Sequence, residues 1–255
     1  MRVVSLQSGS NGNCIYVEAG GVRLLFDAGI SGKQARERLA LRGLDVAEVD
    51  ALLVSHDHVD HSRSVGVYQR KFGLPVFVTA KTLRAAAARH PIGGLSDACH
   101  FQAGAVLKFG RVAVETIPTP HDGVDGVAFV VDDGRSRLGI LTDLGHVFAG
   151  LDAVIRSLDA VFLESNYDPK MLARGSYPEM LKHRIRGPGG HLSNFEAAEL
   201  LRDAGTRRLR WACLAHLSHE NNTPALALAT HRRVLGGAFP LRVATRYEAT
   251  EVMEL

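Results

Sequence analysis

The run Ser55-His56-Asp57-His58-Val59-Asp60-His61 gathers imidazoles and carboxylates directly behind the apolar strand pattern Ala51 to Val54. Simply buried, such a set would be opposed by desolvation and like-charge repulsion. Imidazole and carboxylate together are the donors that zinc, manganese and iron accept. The alternate spacing of His56 and His58 puts two rings on one side of an extended turn. Asp60 and His61, entering the next helix, can point at a second location nearby. A solvated loop is the bland alternative, but ligands tend to sit where a rigid strand hands over to a loop.

The same arrangement recurs along the chain. Thr116 to Pro120 runs into His121-Asp122-Gly123, Leu138 to Thr142 ends at Asp143, and Trp211 to Ala215 ends at His216. Each alone reads first as a turn or cap residue; beside the His-x-His-x-Asp-His run they read as one ligand set. Asp27, in Leu25-Phe26-Asp27-Ala28-Gly29, follows the same logic, with a turn-forming aspartate as its equal alternative.

Those ligands need rigid strands behind them. Val3 to Leu6, Cys14 to Val17 and Val22 to Phe26 read as strands, with a hairpin at Gly20-Gly21. Ser31 precedes a helix over Lys33 to Leu41. Strand-then-helix pairs follow: Ala51 to Val54 with 62–72, and Pro75 to Val78 with 81–89. Residues 105–142 return to consecutive strands. The last third alternates again, with strands near 160–164, 209–215 and 241–245 and helices near 193–204 and 223–235. The Pro- and Gly-rich stretch 166–190 reads as an irregular excursion. No repeat or linker divides the chain, so residues 1–255 are expected to form one domain of two mixed sheets between helical layers.

Composition narrows the function classes. The 255 residues are 46% hydrophobic and 22% charged, an ordinary core-forming balance. A net charge of +3 does not by itself announce a nucleic-acid binder. Three scattered cysteines offer neither a disulfide framework nor a Cys-x-x-Cys zinc site. No secretory hydrophobic region follows Met1, and no apolar run approaches the ~20 residues that span a bilayer. A cytoplasmic protein without a membrane partner is expected. The outlying number is 12 histidines against 10 phenylalanines.

Taken together, the His-x-His-x-Asp-His run, the upstream Asp-Ala-Gly and the later His, Asp and His resemble the metallo-β-lactamase-fold superfamily of metallohydrolases. The resemblance spans nearly the whole chain with its motifs in the family's order. It implies an α/β (α+β) fold, an αββα four-layer sandwich with two mixed β-sheets, and two divalent metal ions, Zn2+ or Mn2+, at one edge. One metal would take His56, His58 and His121; the other would take Asp60, His61 and His216, with Asp143 bridging. Asp27 would orient ligand imidazoles from behind.

Asp143 in the bridging position is unlike true zinc β-lactamases and like glyoxalase-II-type thioesterases, lactonases and phosphodiesterases. Ser62-Arg63-Ser64 replaces the Gly-Gly pair usual after the first motif in glyoxalase-type proteins. The motifs Ser8-Gly9-Ser10-Asn11-Gly12-Asn13, Arg184-Ile185-Arg186-Gly187-Pro188, Gly190-His191-Leu192-Ser193-Asn194 and Leu217 to Pro224 are similar to the YycJ/WalJ branch, relatives of RNase Z implied to be DNA exonucleases. Glu164 with His191 resembles the carboxylate–histidine relay of RNase Z. The segment between His121 and Asp143 is too short for that enzyme's tRNA-gripping arm.

The resemblance therefore implies a DNA exonuclease, 5′ to 3′, with a metal-bridging hydroxide as nucleophile and DNA favoured over RNA. A small-molecule metallohydrolase acting on a thioester, lactone or cyclic phosphodiester is the alternative, and a metal-dependent binding module is a further one. Asp60, His191 and Glu164 form the expected catalytic set, His191 as general acid; the bland reading of His191 is a helix-entry residue. Ser193 and Glu196 form a capping box, and the free N–H groups of that helix would face a phosphate. Arg184 and Arg186 are candidate phosphate clamps, or a solvated face. Ser10, Asn11 and Asn13 either contact substrate or turn the chain. His90, His100, His146, His183, His219 and His231 keep ordinary roles, with His183 and His219 expected nearest substrate.

Overall fold

The computed structural model describes residues 1–255. From the N-terminus come β1 (Arg2–Gln7), β2 (Cys14–Ala19), β3 (Val22–Phe26), α1 (Gly32–Ala40), β4 (Ala51–Leu53), α2 (Val59–Ser62), α3 (Val65–Phe72), β5 (Val76–Thr79), α4 (Ala80–Arg89) and β6 (Ala98–Phe101). Then follow β7 (Val106–Phe109), β8 (Val112–Pro118), β9 (Val127–Asp132), β10 (Arg137–Leu141), α5 (Leu151–Arg156), β11 (Ala160–Glu164), α6 (Pro169–Arg174), α7 (Glu179–Arg186) and α8 (Asn194–Ala204). The chain closes with β12 (Trp211–Ala215), α9 (Pro224–Leu235), β13 (Leu241–Val243) and β14 (Met253–Glu254).

Two seven-stranded sheets result, ordered β14-β1-β2-β3-β4-β5-β6 and β13-β12-β11-β10-β9-β8-β7. Each is antiparallel through its hairpins, then parallel where helical crossovers begin: at β3–β4 in the first and β10–β11 in the second. Alternation along the strands decides the layers. Ile15, Val17, Leu24 and Phe26 meet Val114, Phe129, Ile140 and Phe162 between the sheets. Their neighbours Cys14, Tyr16 and Leu25 face outward onto Ala35 and Leu39 of α1 and Tyr68 of α3. On the other side Val130, Leu141 and Leu163 receive Ile155 of α5 and Ala197, Leu200 and Leu201 of α8. The architecture is the expected αββα sandwich of two mixed sheets.

The stretch 166–190 departs from expectation. It holds α6 and α7, and the residues read as breakers are helix punctuation. Pro169 occupies the first turn of α6 behind Asp168, whose carboxylate caps Lys170 and Met171, and Gly175 ends it. Pro178 and Gly187 bracket α7 in the same way. Proline at a helix start and glycine at its end are favoured for the same reasons that make them breakers inside one. Helix α5 also escaped the sequence pattern, because it is one short turn and a half entered from Gly150 with no side-chain cap. Strands β6 and β14 were not expected either; β6 is an edge strand with Cys99 and His100 exposed.

One close approach fixes the rim. A Cβ on Gly29 would lie 1.6 Å from the Asp60 carbonyl oxygen and 2.5 Å from the Asn13 amide, both backbone atoms. The loop after β3 can therefore underlie the His-Asp loop only with glycine there. Gly29→Ala should lower stability by about 1–3 kcal/mol, the range for overpacking, in denaturant unfolding. Gly94→Ala, where a Cβ meets nothing within 4 Å, should leave the midpoint near wild type.

Candidate metal centre

Asp27 and every expected ligand sit where a strand ends. Asp27 follows β3, His56 to His61 lead from β4 into α2, His121 follows β8, Asp143 follows β10, and His216 follows β12. Three of them, Asp27 (φ 65°), Asp143 (φ 56°) and His216 (φ 55°), adopt left-handed backbone. That conformation turns each side chain out of its sheet and over the rim. It costs non-glycine residues about 1–3 kcal/mol and clusters at functional sites.

The donor atoms converge. His56, His58 and His121 form one group, Asp60, His61 and His216 another, and Asp143 joins His56 and His61 in a third; within each group the atoms lie within 4.8 Å of one another. Asp143 Oδ1 is 3.4 Å from His216 Nε2, and Oδ2 is 3.3 Å from His61 Nε2. His56 Nε2 and Asp143 Oδ2 are buried with no hydrogen-bond partner. Orphaned acceptors aimed at a common point, among oxygen and imidazole donors, fit divalent cations.

Hydrogen bonds behind the ligands fix their tautomers. Gly190's carbonyl accepts from His121 Nδ1 at 2.8 Å, which leaves Nε2 as the free lone pair. Asp27 Oδ2 accepts from His61 Nδ1 at 2.7 Å and from Ser55 Oγ at 3.0 Å, while Oδ1 accepts from the Ser55 amide at 2.8 Å. Ser55 Oγ in turn lies 2.9 Å from His56 Nδ1. His58 Nε2 faces Asp122 Oδ1 at 3.3 Å, turning Nδ1 toward His121. Such partners hold imidazoles in ligand geometry.

Charge is divided unevenly over the cluster. Burial, then His61, pushes the His56 pKa well below the usual imidazole value. Burial, then His121, brings His58 down to about 4. His216 is also lowered by burial. Burial opposes the charge on His61 as well, but Asp143, Asp27 and Asp60 outweigh it and raise its pKa. Asp143 is held well below the carboxylate range; burial acts the other way and is outweighed by His216, His61, His56 and His121. His56, His58 and His216, neutral beside an ionised Asp143, have the protonation states a cation requires, and a bound cation would take the place of the extra proton that the carboxylates favour on His61.

His191 and Glu164 meet at the same place. His191 Nδ1 lies 2.6 Å from Glu164 Oε1 and 3.7 Å from Asp143 Oδ1. Glu164 is fully buried, and its Oε2 accepts the Leu144 and Leu192 amides. Burial lowers the His191 pKa, but Glu164 and then Asp143 more than reverse this, and the imidazole ends above its ordinary value. Above the cluster opens a cleft of about 620 Å³ that includes His58, Asp60, Asp143, His191 and His216.

The expected substrate contacts divide. Ser10 is exposed and lines the cleft. Asn13 is buried instead, with Nδ2 2.9 Å from His61 Nε2 and Oδ1 3.3 Å from His216 Nδ1, so it supports ligands. Asn11 turns away toward the Arg246 carbonyl at 3.5 Å. Arg184 reaches the cleft but grips Asp122 through Nε (2.6 Å) and Nη2 (3.1 Å). Arg186 lies outside it, donating to the Lys182 carbonyl. Ser193 caps α8 with Glu196, and the Asn194 amide goes to the Tyr167 carbonyl. That helix start is closed by its own cap and by Tyr167, contrary to the expected open phosphate site.

Several cleft residues were not foreseen: Arg89, His90, Asn166, Tyr177 and Ser218. His90 bonds Ser62 Oγ at 3.0 Å, and Arg89 pairs with the buried Asp57 at 3.0 Å. His183 is exposed on α7 and forms no part of the cleft lining. Asp27→Asn keeps the left-handed backbone accessible but turns one acceptor into a donor. It should weaken metal affinity about 10–100-fold, read by competition with a chromophoric chelator, with the circular dichroism spectrum retained.

Comparison with known proteins agrees with this geometry. Residues 8–206 match the model of the metallo-beta-lactamase superfamily. The chain is 36% identical over 232 residues to a Bacillus anthracis protein named exodeoxyribonuclease YycJ, covering 90% of this chain and 87% of that one. It is 37% identical over 230 residues to Streptococcus pneumoniae exodeoxyribonuclease WalJ, covering 88% and 84%. Among solved structures, the metallo-beta-lactamase fold protein YhfI from Bacillus subtilis superposes with a TM-score of 0.74 at 17% identity, over 98% of this chain and 99% of that one. With its strand-end ligands and its sandwich of two mixed sheets, this chain belongs to the metallo-beta-lactamase superfamily and is a metal-dependent hydrolase.

Proposed function

We propose that the chain is a DNA exonuclease acting 5′ to 3′, a two-cation phosphodiesterase whose 255 residues form one domain. The observation that carries this reading is the His191–Glu164 pair, 2.6 Å apart, standing beside Asp143 in an open cleft. A proton donor at the edge of a metal cluster suits a reaction with a poor leaving group, such as a sugar alkoxide. The relatives that share 36–37% identity are named exodeoxyribonucleases, which favours DNA over RNA. No helix is long and apolar enough to cross a membrane, and we assign the activity to the cytoplasm, where DNA is at hand.

His56, His58 and His121 would hold one cation and Asp60, His61 and His216 the other, with Asp143 reaching both. When bound, Zn2+ or Mn2+ at these positions supplies an activated water and charge stabilisation for attack on phosphorus. The chain's own residues do the rest. Glu164 accepts a hydrogen bond from His191 Nδ1 and so directs Nε2 toward the leaving oxygen. The Leu144 and Leu192 amides donate to Glu164 Oε2 and hold the carboxylate in place. Asp60, beside His61 Nε2 at 3.5 Å, contributes the carboxylate of the second group. Ser10 at the cleft wall is placed to meet the strand.

Two outcomes test this. His191→Asn should lower kcat on 5′-phosphorylated oligonucleotides by about 10²–10⁴-fold, yet barely change hydrolysis of thymidine 5′-p-nitrophenyl phosphate, whose leaving group needs no proton. Equal losses on both would remove the general-acid role. Asp143→Ala should abolish cleavage and reduce bound metal from about two equivalents to about one or fewer, by elemental analysis. Metal-loaded wild-type protein that leaves single-stranded and duplex DNA intact, while hydrolysing a thioester or lactone, would move the assignment to a small-molecule hydrolase.

A further inference from the structure

The cleft continues beyond the metal centre. Ser218 lines its edge and also lines a second depression of about 210 Å³ that contains His219, Arg246 and Tyr247. Arg246 is half-buried, packed on Gly9, and its guanidinium donates only to the Leu217 carbonyl, at 3.3 Å. The other guanidiniums of the cleft are committed to carboxylates, Arg89 to Asp57 and Arg184 to Asp122. Arg246 thus has donors left over, in a depression that shares Ser218 with the cleft. A held guanidinium with unused donors is suited to a phosphate.

Tyr247 stands next to it with 63% of its surface exposed. Its ring meets only the edge of the His219 ring, centroids 6.5 Å apart. Its backbone is nevertheless tied down, the carbonyl accepting from Arg38 at 2.7 Å. A fixed backbone that presents a bare aromatic face beside a cation is the arrangement that stacks bases of single strands without reading sequence.

We propose that a single DNA strand leaves the metal centre over Ser218, with Arg246 holding the phosphate next to the scissile one and Tyr247 stacking the adjoining base. The inference rests on the nuclease reading above and adds a strand-binding subsite to it. The subsite needs one nucleotide more than the reacting one, so it acts on oligonucleotides and not on a mononucleotide ester.

The test compares kcat/KM for a single-stranded oligothymidylate with kcat/KM for thymidine 5′-p-nitrophenyl phosphate. In Tyr247→Ala the oligonucleotide-to-ester ratio should fall about 5- to 100-fold, the loss of one base stack, and Tyr247→Phe should restore it. In Arg246→Met the slope of log affinity against log salt for the oligonucleotide should shrink by about 0.7, one phosphate contact on a single strand. A wild-type ratio in Tyr247→Ala, or an unchanged slope in Arg246→Met, overturns the subsite and leaves the nuclease reading standing. Wild-type protein that hydrolyses the ester but neither binds nor cuts the oligonucleotide overturns both.

Discussion

The rim of this sandwich depends on one buried carboxylate. Asp27 accepts from the Ser55 amide, the Ser55 hydroxyl and His61 Nδ1, at 2.8, 3.0 and 2.7 Å. A carboxylate withdrawn from water is tolerable only when its acceptor sites are filled. Each hydrogen bond to a charged group contributes about 1.5–3 kcal/mol. Those bonds join the end of β3 to the end of β4, its parallel neighbour. The His-Asp loop thereby takes a single geometry: His61 is aimed directly, and His56 through Ser55 Oγ. Backbone bonds from Ala28 to the His61 carbonyl and from Asn13 to the Asp60 carbonyl hold the loop's far end, and the Asp27 contact sets how it leaves β4.

Chemistry and backbone select the same residue types at the strand ends. Left-handed backbone disfavours β-branched side chains, while Asp, Asn and His occupy it several-fold more readily. Of the four non-glycine residues with left-handed backbone, Asp27, Asp143 and His216 stand at strand ends in the cluster, and Asp125 lies in the loop before β9. An apolar strand followed by such a residue turns sharply and offers a donor in the same step. The strain stored there is offset by the packed strands behind it, since Phe26, Leu141 and Ala215 are all essentially buried. The site is thus a property of where buried strands must stop.

This explains which features were legible in the sequence. The residues that converge on the cluster could be read because each closes an apolar run, a local pattern, and the αββα sandwich could be read from alternation and from the order of the motifs. The supporting shell could not. Asp122 belongs to the loop after β8, yet it joins His58 to Arg184 of α7, far apart in the chain. Asn13 reads as loop polarity until the fold buries it between His61 and His216. Pro169 and Gly175 carry the same local meaning whether they break a segment or delimit a helix, and only packing of Tyr167, Leu172 and Ile185 decides for α6 and α7. Side-chain partners set by tertiary crossing leave no trace in neighbouring residues.

The modest net charge of +3 acquires a local meaning from the same contacts. Around the cleft floor, Asp60 and Asp143 supply negative charge, and the guanidiniums of the cleft are paired elsewhere, with Asp57 and Asp122. Coulomb energies between such groups at 4 Å are about 4 kcal/mol per unit pair at an effective dielectric of 20. The carboxylates oppose a phosphodiester approaching the bare cluster, His61 and His191 offset part of that charge, and divalent cations bound there would offset the rest. Metal would then strengthen the hold of the centre on an anion, whereas Arg246 is a cation with or without it. The cluster's carboxylates would thus do two things at once: hold the cations, and tie the binding of an anionic substrate to them.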